Sequence, residues 1–145
     1  MASSIHRHTK KKNREVIDLL KETIQATARE AFADTCYDII SAHPHFNIGA
    51  PYSQDWSHNQ WTLDTSSQDH ELRGANSSGL ESYASVDRGK WRLKLGERNL
   101  YFNNPVEYVP LLEEGHSNSA PNGFIEKSLP NFEEHFIKHA LRKGL

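Results

Sequence analysis

The sequence predicts an α+β domain, in which a long N-terminal helix and a C-terminal helix pack on a small, mainly antiparallel β-sheet. Three observations carry this expectation. Apolar residues recur at spacings of three and four over residues 15–42: Val16, Leu20, Ile24, Ala28, Ala31, Thr35 and Ile39. A second helical stripe closes the chain, with Phe132, Phe136 and Ala140 four residues apart. Between them, "QWTLDTS" and "KWRLKLG" alternate apolar and polar residues as half-buried strands do.

The elements follow in order. Residues 15–42 read as one helix, with Asn13 as a candidate N-cap, Ala26, Ala28, Ala31 and Ala33 favouring helix, and Pro44 as the stop. A helix of that length, about 40 Å at ~1.5 Å per residue, is longer than so small a domain needs. Part of it is therefore expected to pack on a neighbouring chain. Residues 43–60 read as a loop, expected to be mobile, punctuated by Pro44, Gly49 and Pro51, and its Phe46, Tyr52 and Trp56 should dock onto a surface. Trp61, Leu63 and Thr65 then mark a strand, and the polar residues 66–79 a mobile loop. "LESYASVD" fits a strand or a short helix. In "KWRLKLG", Trp91, Leu93 and Leu95 alternate with Lys90, Arg92 and Lys94, and "NLYFNN" follows a turn. Residues 90–104 therefore read as a β-hairpin. "PVEYVPLLEEG" should make a short helix ended by Gly115. In the last segment Pro130 either kinks or begins the helix, Glu133 and Glu134 lie early, and Arg142 and Lys143 lie late, as the helix dipole favours. Gly144 suits the position after its end.

Composition limits the function classes. With 145 residues the chain has room for one domain with a real core, and its 36% apolar content makes that core thin. Thin cores belong to proteins that bury surface against partners or that carry long polar loops. No run approaches the ~18 apolar residues of a membrane helix. The basic N-terminus has no apolar stretch behind it, so no secretory signal is expected. The single Cys36 provides no internal disulfide and no cysteine metal cluster, which suits a reducing compartment.

Net charge is −2, unevenly distributed. Arg7, Lys10, Lys11, Lys12 and Arg14 precede the first acid, and removing those five from seventeen basic residues leaves twelve against nineteen acids. Residues 1–14 are thus expected to be a flexible basic arm on an acidic domain of residues 15–145. Such an arm can touch DNA or an acidic protein surface, or simply be solvated.

Candidate chemistry is sparse. His43 and His45 lie two apart, and His135 and His139 lie four apart on one helical face. A metal site needs three or four ligands and a supporting second layer, and neither pair brings them, so no metal is assigned. Glu113, Glu114 and His116 resemble an acid–base set, but adjacent residues on a helix point about 100° apart. Ser117 and Ser119 lack the strand–elbow–helix setting of a nucleophile. Gly89 and Gly96 stand alone, without a phosphate-binding or dinucleotide fingerprint. No catalytic residue and no cofactor is assigned. The basic residues interleaved with aromatics in "DRGKWRLKLGERNLYF" suggest a nucleic-acid face, yet the period-two pattern of a strand accounts for every position.

The stretch "LYFNNPVEYVPLLEEGHSNSAPNGFIEKSL" resembles the C-terminal signature of the neck or tail-completion proteins of long-tailed bacteriophages. That signature runs from an aromatic strand ending in Asn-Asn through a proline and an aromatic to L-E-x-G-x-S, a spacer, and A-P-x-G before an apolar pair. The matching residues are Asn103, Asn104, Pro105 and Tyr108; then Leu112, Glu113 or Glu114, Gly115 and Ser117; then Ala120, Pro121, Gly123, Phe124 and Ile125. Trp61 stands where family members carry a tryptophan, although "NIGAPYSQDWSHNQ" ahead of it departs from the usual V-D-T-G-x-L-R pattern. The resemblance implies a non-enzymatic virion protein forming a six- or twelve-fold homo-oligomeric ring in the neck. Its partners would be the head connector or adaptor and the tail terminator or tube, with genomic DNA passing through the lumen and no membrane involved. The rivals are a small metal-dependent nuclease or hydrolase using His116, His135 and His139, and a nucleic-acid-binding module using the arm.

Overall fold

The computed structural model describes residues 2–53, 55–68, 70–77, 80–94 and 99–145. The architecture is α+β: a long N-terminal helix and C-terminal helices around a small antiparallel two-stranded sheet. Helix α1 spans Ala2–Ala42, 41 residues, or about 60 Å at ~1.5 Å per residue. It begins well ahead of residue 15. Asn13 is therefore an interior position and not an N-cap, and the basic segment ahead of Glu15 is helical from Ala2. The helix ends two residues before Pro44, whose ring disfavours helical backbone in the residue before it.

The sheet differs from the hairpin expected over residues 90–104. Strand β1, Thr62–Asp64, pairs antiparallel with β2, Tyr101–Asn103, placing Leu63 opposite Phe102. Lys90–Arg92 is instead a single 3-10 turn continuing helix α2, Leu80–Gly89. Leu95 and Gly96 of the expected strand lie outside the described residues. The physical reason is tertiary. Arg29 of α1 donates to the carbonyls of Lys90 (3.1 Å) and Leu93 (3.2 Å), and its guanidinium lies 4.8 Å from the Trp91 ring centroid. Trp91 is thus held on the outside by a cation, 64% exposed, and does not point into a core.

Helix α2 also covers the edge of β1 that β2 does not pair with. The Ser82 and Ser85 hydroxyls accept the backbone N–H groups of Trp61 and Leu63, each at 3.1 Å. One edge of β1 is thereby satisfied by serines, and the other pairs with β2. Gly89 makes the close approach possible, because a Cβ there would stand 2.6 Å from the Leu63 carbonyl oxygen.

Three more helices follow: α3, Val109–Glu113; α4, Ile125–Ser128; and α5, Asn131–Arg142, which Pro130 begins. The core gathers Cys36, Ile39 and Ile40 of α1 with Trp56, Trp61, Leu63, Val86, Val109, Leu112 and Phe124. Trp61 stacks on Phe102 at 4.5 Å between centroids. Helix α5 lies along α1.

Candidate functional site

The connector from Asn103 to Ile125 is built from backbone outward. Asn103 donates to the Ser66 carbonyl (3.3 Å), and Asn104 to the Ser57 carbonyl (2.8 Å) while accepting the Val106 N–H (3.2 Å). The chain following β2 is thus tied to the 57–66 segment. Pro105 precedes α3 by several residues instead of starting it, and Pro110 sits in its first turn, where a missing N–H costs nothing. Tyr108 packs on Phe46, with ring centroids 5.0 Å apart. Helix α3 closes with Gly115 at φ +96, the Gly115 N–H on the Leu112 carbonyl and the His116 N–H on the Leu111 carbonyl. This is the paired C-terminal cap that needs a left-handed residue.

The carboxylate of Glu113 then reaches across the loop. Its oxygens accept the backbone N–H groups of Phe124 (3.3 Å), Ile125 (2.6 Å) and Glu126 (3.2 Å). One acid therefore satisfies the orphan donors at the start of α4, a charge-assisted cap supplied from another helix. Gly123, at φ +83, leaves room for it, since a Cβ there would sit 2.6 Å from Glu113 Oε1. Glu114 is exposed, with an oxygen 3.8 Å from His116 Nε2. Ser117 and Ser119 share a 3.0 Å hydroxyl contact, and the Ser119 N–H donates to Ser117. Leu112, Ala120 and Phe124 are core residues, whereas Pro121 is exposed. The carboxylate geometry is that of a cap, with Glu113 committed to backbone donors.

The histidines separate into distinct environments. His43 is buried. Its Nδ1 accepts the Trp61 indole N–H (3.1 Å), which places the ring proton on Nε2, 3.0 Å from the Ser57 hydroxyl. This pairing looks like a nucleophile and its base, but a protonated Nε2 donates to Ser57 and takes no proton from it. Burial, with nearby His58 and His45, lowers the His43 pKa from 6.5 to about 3. His45 contacts Asp55 at 2.6 Å, and His116 lines a groove with His45, Phe46 and Ser117. His135 and His139 instead face α1, apart from His116. Among the described residues, no group of three or more His, Cys, Asp or Glu side chains is placed to hold a metal ion. Burial also pushes the Cys36 thiol pKa up, away from the reactive thiolate.

The loops expected to be mobile are extensively hydrogen-bonded where described. Arg73 donates to the carbonyls of Asn59 (2.6 Å) and Trp61 (3.0 Å) and pairs with Glu81 at 3.2 Å. His70 contacts the Gln60 carbonyl at 2.7 Å. In the 43–60 segment Trp56 is buried, with the Tyr52 ring 4.8 Å away.

Two surfaces carry unspent chemistry. The first is the projecting part of α1, where residues 7–22 are exposed throughout, including Arg7, Lys10, Lys11, Lys12 and Arg14. Val16, Ile17, Leu20 and Ile24 make an apolar stripe there, each at least 40% exposed. The second is the polar seam between α1 and α5, which joins Glu30, Asp34 and Asp38 to Asn131, His135, His139 and Lys143. The sequence expectation placed the two histidines on one face but missed their acidic partners. The signal was present as two rows at four-residue spacing with opposite charge. No protein-family model, curated protein or solved structure matches this chain.

Proposed function

We propose that this chain is a structural, non-enzymatic protein of a long-tailed bacteriophage neck, where copies form a ring joining the head connector to the tail. The observation that carries the assembly reading is the unpartnered stripe on α1. Ile17, Leu20 and Ile24 continue at spacings of three and four into Thr27 and Ala31, which are fully buried against the body. The face that packs the domain therefore runs on, exposed to solvent, for about two further helical turns.

A second copy offers a complementary surface. Helix α5 runs antiparallel to α1, with Asn131 at Asp38 and Lys143 at Glu30. The start of α5 thus lies at the opposite end from the projecting arm. Exposed Leu129 and Phe132 adjoin exposed Glu126, Glu133 and Glu134 there. A basic, apolar arm at one end and an acidic, apolar corner at the other make a head-to-tail contact, the kind that closes into a ring. The neck assignment itself rests on the resemblance over residues 100–129, which folds into a capped connector whose acid holds backbone donors.

Native mass spectrometry of the full chain, alone and mixed with head-connector and tail-tube proteins, tests this reading. A closed ring of one copy number, alone or on a partner, is the expected result. A monomer in every mixture overturns it, and stoichiometric zinc or manganese on that monomer would favour a hydrolase.

A further inference from the structure

The strand pattern of "KWRLKLG" does not explain its tryptophan. In a half-buried strand, Trp91 and Leu93 would face the core and the cations would face water. Instead Lys90–Arg92 is a 3-10 turn at the end of α2, and Trp91 is 64% exposed. The other two tryptophans, Trp56 and Trp61, are 7% and 4% exposed. An indole carries one of the largest apolar surfaces of any side chain, and leaving it in water forgoes the burial that stabilises Trp61. The exposed ring is also steadied. Arg29 of α1 donates to the carbonyls of Lys90 and Leu93, on either side of Trp91, at 3.1 and 3.2 Å. Its guanidinium lies 4.8 Å from the ring centroid, and Lys90 Nζ lies 5.7 Å from it.

The charge around this ring is mostly of one sign. Arg88, Lys90, Arg92 and Lys94 surround Trp91 in the chain, and Arg29 adds a fifth cation from α1. Arg88, Arg92 and Lys94 are exposed, and Arg88 stands three residues before Trp91, the spacing of neighbours on one helical face. Of the acids nearby, Asp64 pairs with Arg92 at 2.6 Å, and Asp87 accepts the Tyr37 hydroxyl of α1. Five cations against these two acids leave three positive charges, on a chain whose total is −2. Cations and an open aromatic face fit one ligand together, a chain of phosphates bearing planar bases. Arginine and lysine meet phosphate oxygens, and the indole stacks on a base. An acidic peptide would use the cations and leave the indole in water. Bases in a duplex are already stacked on their neighbours, so an indole stacks on an unpaired one.

We propose that the turn from Arg88 to Lys94 is a binding site for single-stranded nucleic acid, in which Trp91 stacks on a base while Arg88, Lys90 and Lys94 hold the flanking phosphates. Arg92 is shared with Asp64, and Arg29 holds the turn and the ring from α1. Every base has a π-face, so the site tolerates any sequence and selects for an unpaired strand. Each phosphate contact releases counterions, so binding weakens steeply as salt rises. The site is separate from the basic end of α1, because Arg14 lies about 20 Å along the helix from Arg29. The inference does not rest on the neck reading.

Tryptophan fluorescence of the full chain tests this, because Trp91 is exposed while Trp56 and Trp61 are buried. The probe is a thymine oligonucleotide of about twelve nucleotides, titrated at low salt. Binding should quench the emission, shield Trp91 from acrylamide, and raise the anisotropy of the oligonucleotide when it is labelled. Trp91→Ala should weaken binding about tenfold or more, with an unchanged melting temperature. Arg88→Ala with Lys90→Ala should lower the slope of log affinity against log salt by about 1.4. A duplex of the same length should bind more weakly, and poly-glutamate should not compete. Absence of binding or of quenching in the wild type overturns the proposal whether or not the variants fold. So does full affinity in Trp91→Ala, which would move binding to the basic end of α1. Tighter binding of the duplex, an unchanged salt slope, or displacement by poly-glutamate overturns it too, the last by making the partner an acidic protein.

Discussion

Gly115 shows how much one residue can carry. Its φ of +96 lies in the left-handed region, and a Cβ would stand 2.2 Å from the Pro121 carbonyl oxygen. Backbone cannot move aside as a flexible side chain can. Gly115→Val should therefore combine left-handed strain with a backbone clash, costing about 3 kcal/mol or more. Thermal unfolding should read this as a drop of roughly 10 °C, and an unchanged transition would refute the assigned cap. His43 makes a second prediction at this scale. Its folded-state pKa, lowered to about 3 from 6.5 chiefly by burial, means that the unfolded chain takes up a proton between those values and the folded chain does not. The associated stability is complete above the unfolded value and is lost as pH falls through that window, by up to about 1.4 kcal/mol per pH unit. Denaturant melts between about pH 4 and about pH 7 should show that slope, and His43→Gln should flatten it.

The projecting half of α1 belongs to the scale of the element. Residues 7–22 are exposed, whereas fully buried positions begin at Thr27. Removing residues 1–12 should leave the melting transition within about 2 °C of the full chain, since exposed positions contribute little to folding. The same deletion removes Arg7, Lys10, Lys11 and Lys12, so attachment to heads should weaken and lose its salt dependence. Normal completion of particles by the truncated chain would show that the basic end makes no contact of consequence. The strand expectations also divide at this scale. Alternation located β1, and the returning strand of the expected hairpin fell on β2, but with a false partner. "KWRLKLG" has the period of a strand, yet Arg29 and the end of α2 hold its first residues in a tight turn.

For the whole molecule, the question is what a long helix does that its own domain does not require. Leu20→Glu with Ile24→Glu places two charges on the exposed stripe while leaving the buried Thr27 and Ala31 untouched. The variant should fold with an unchanged circular dichroism spectrum and unfolding midpoint, but fail to form rings in native mass spectrometry. Rings of normal copy number from that variant would remove α1 from the interface.

Several features were legible from the residues alone because they depend on local rules. The long helix followed from three-and-four spacing, its stop from Pro44, and the left-handed ends at Gly115 and Gly144 from the only residue that takes positive φ without a steric cost. The α+β class followed from the same periodicities. Other features needed the assembled chain. That Glu113 caps α4, that β1 pairs with β2 across thirty-odd residues, and that His135 and His139 meet Asp34, Asp38 and Glu30 are contacts between distant segments. Periodicity specifies which face of an element is apolar. Which partner meets that face, and which charge answers a charge, is decided when the elements pack, because those energies exist only between segments brought together by the fold.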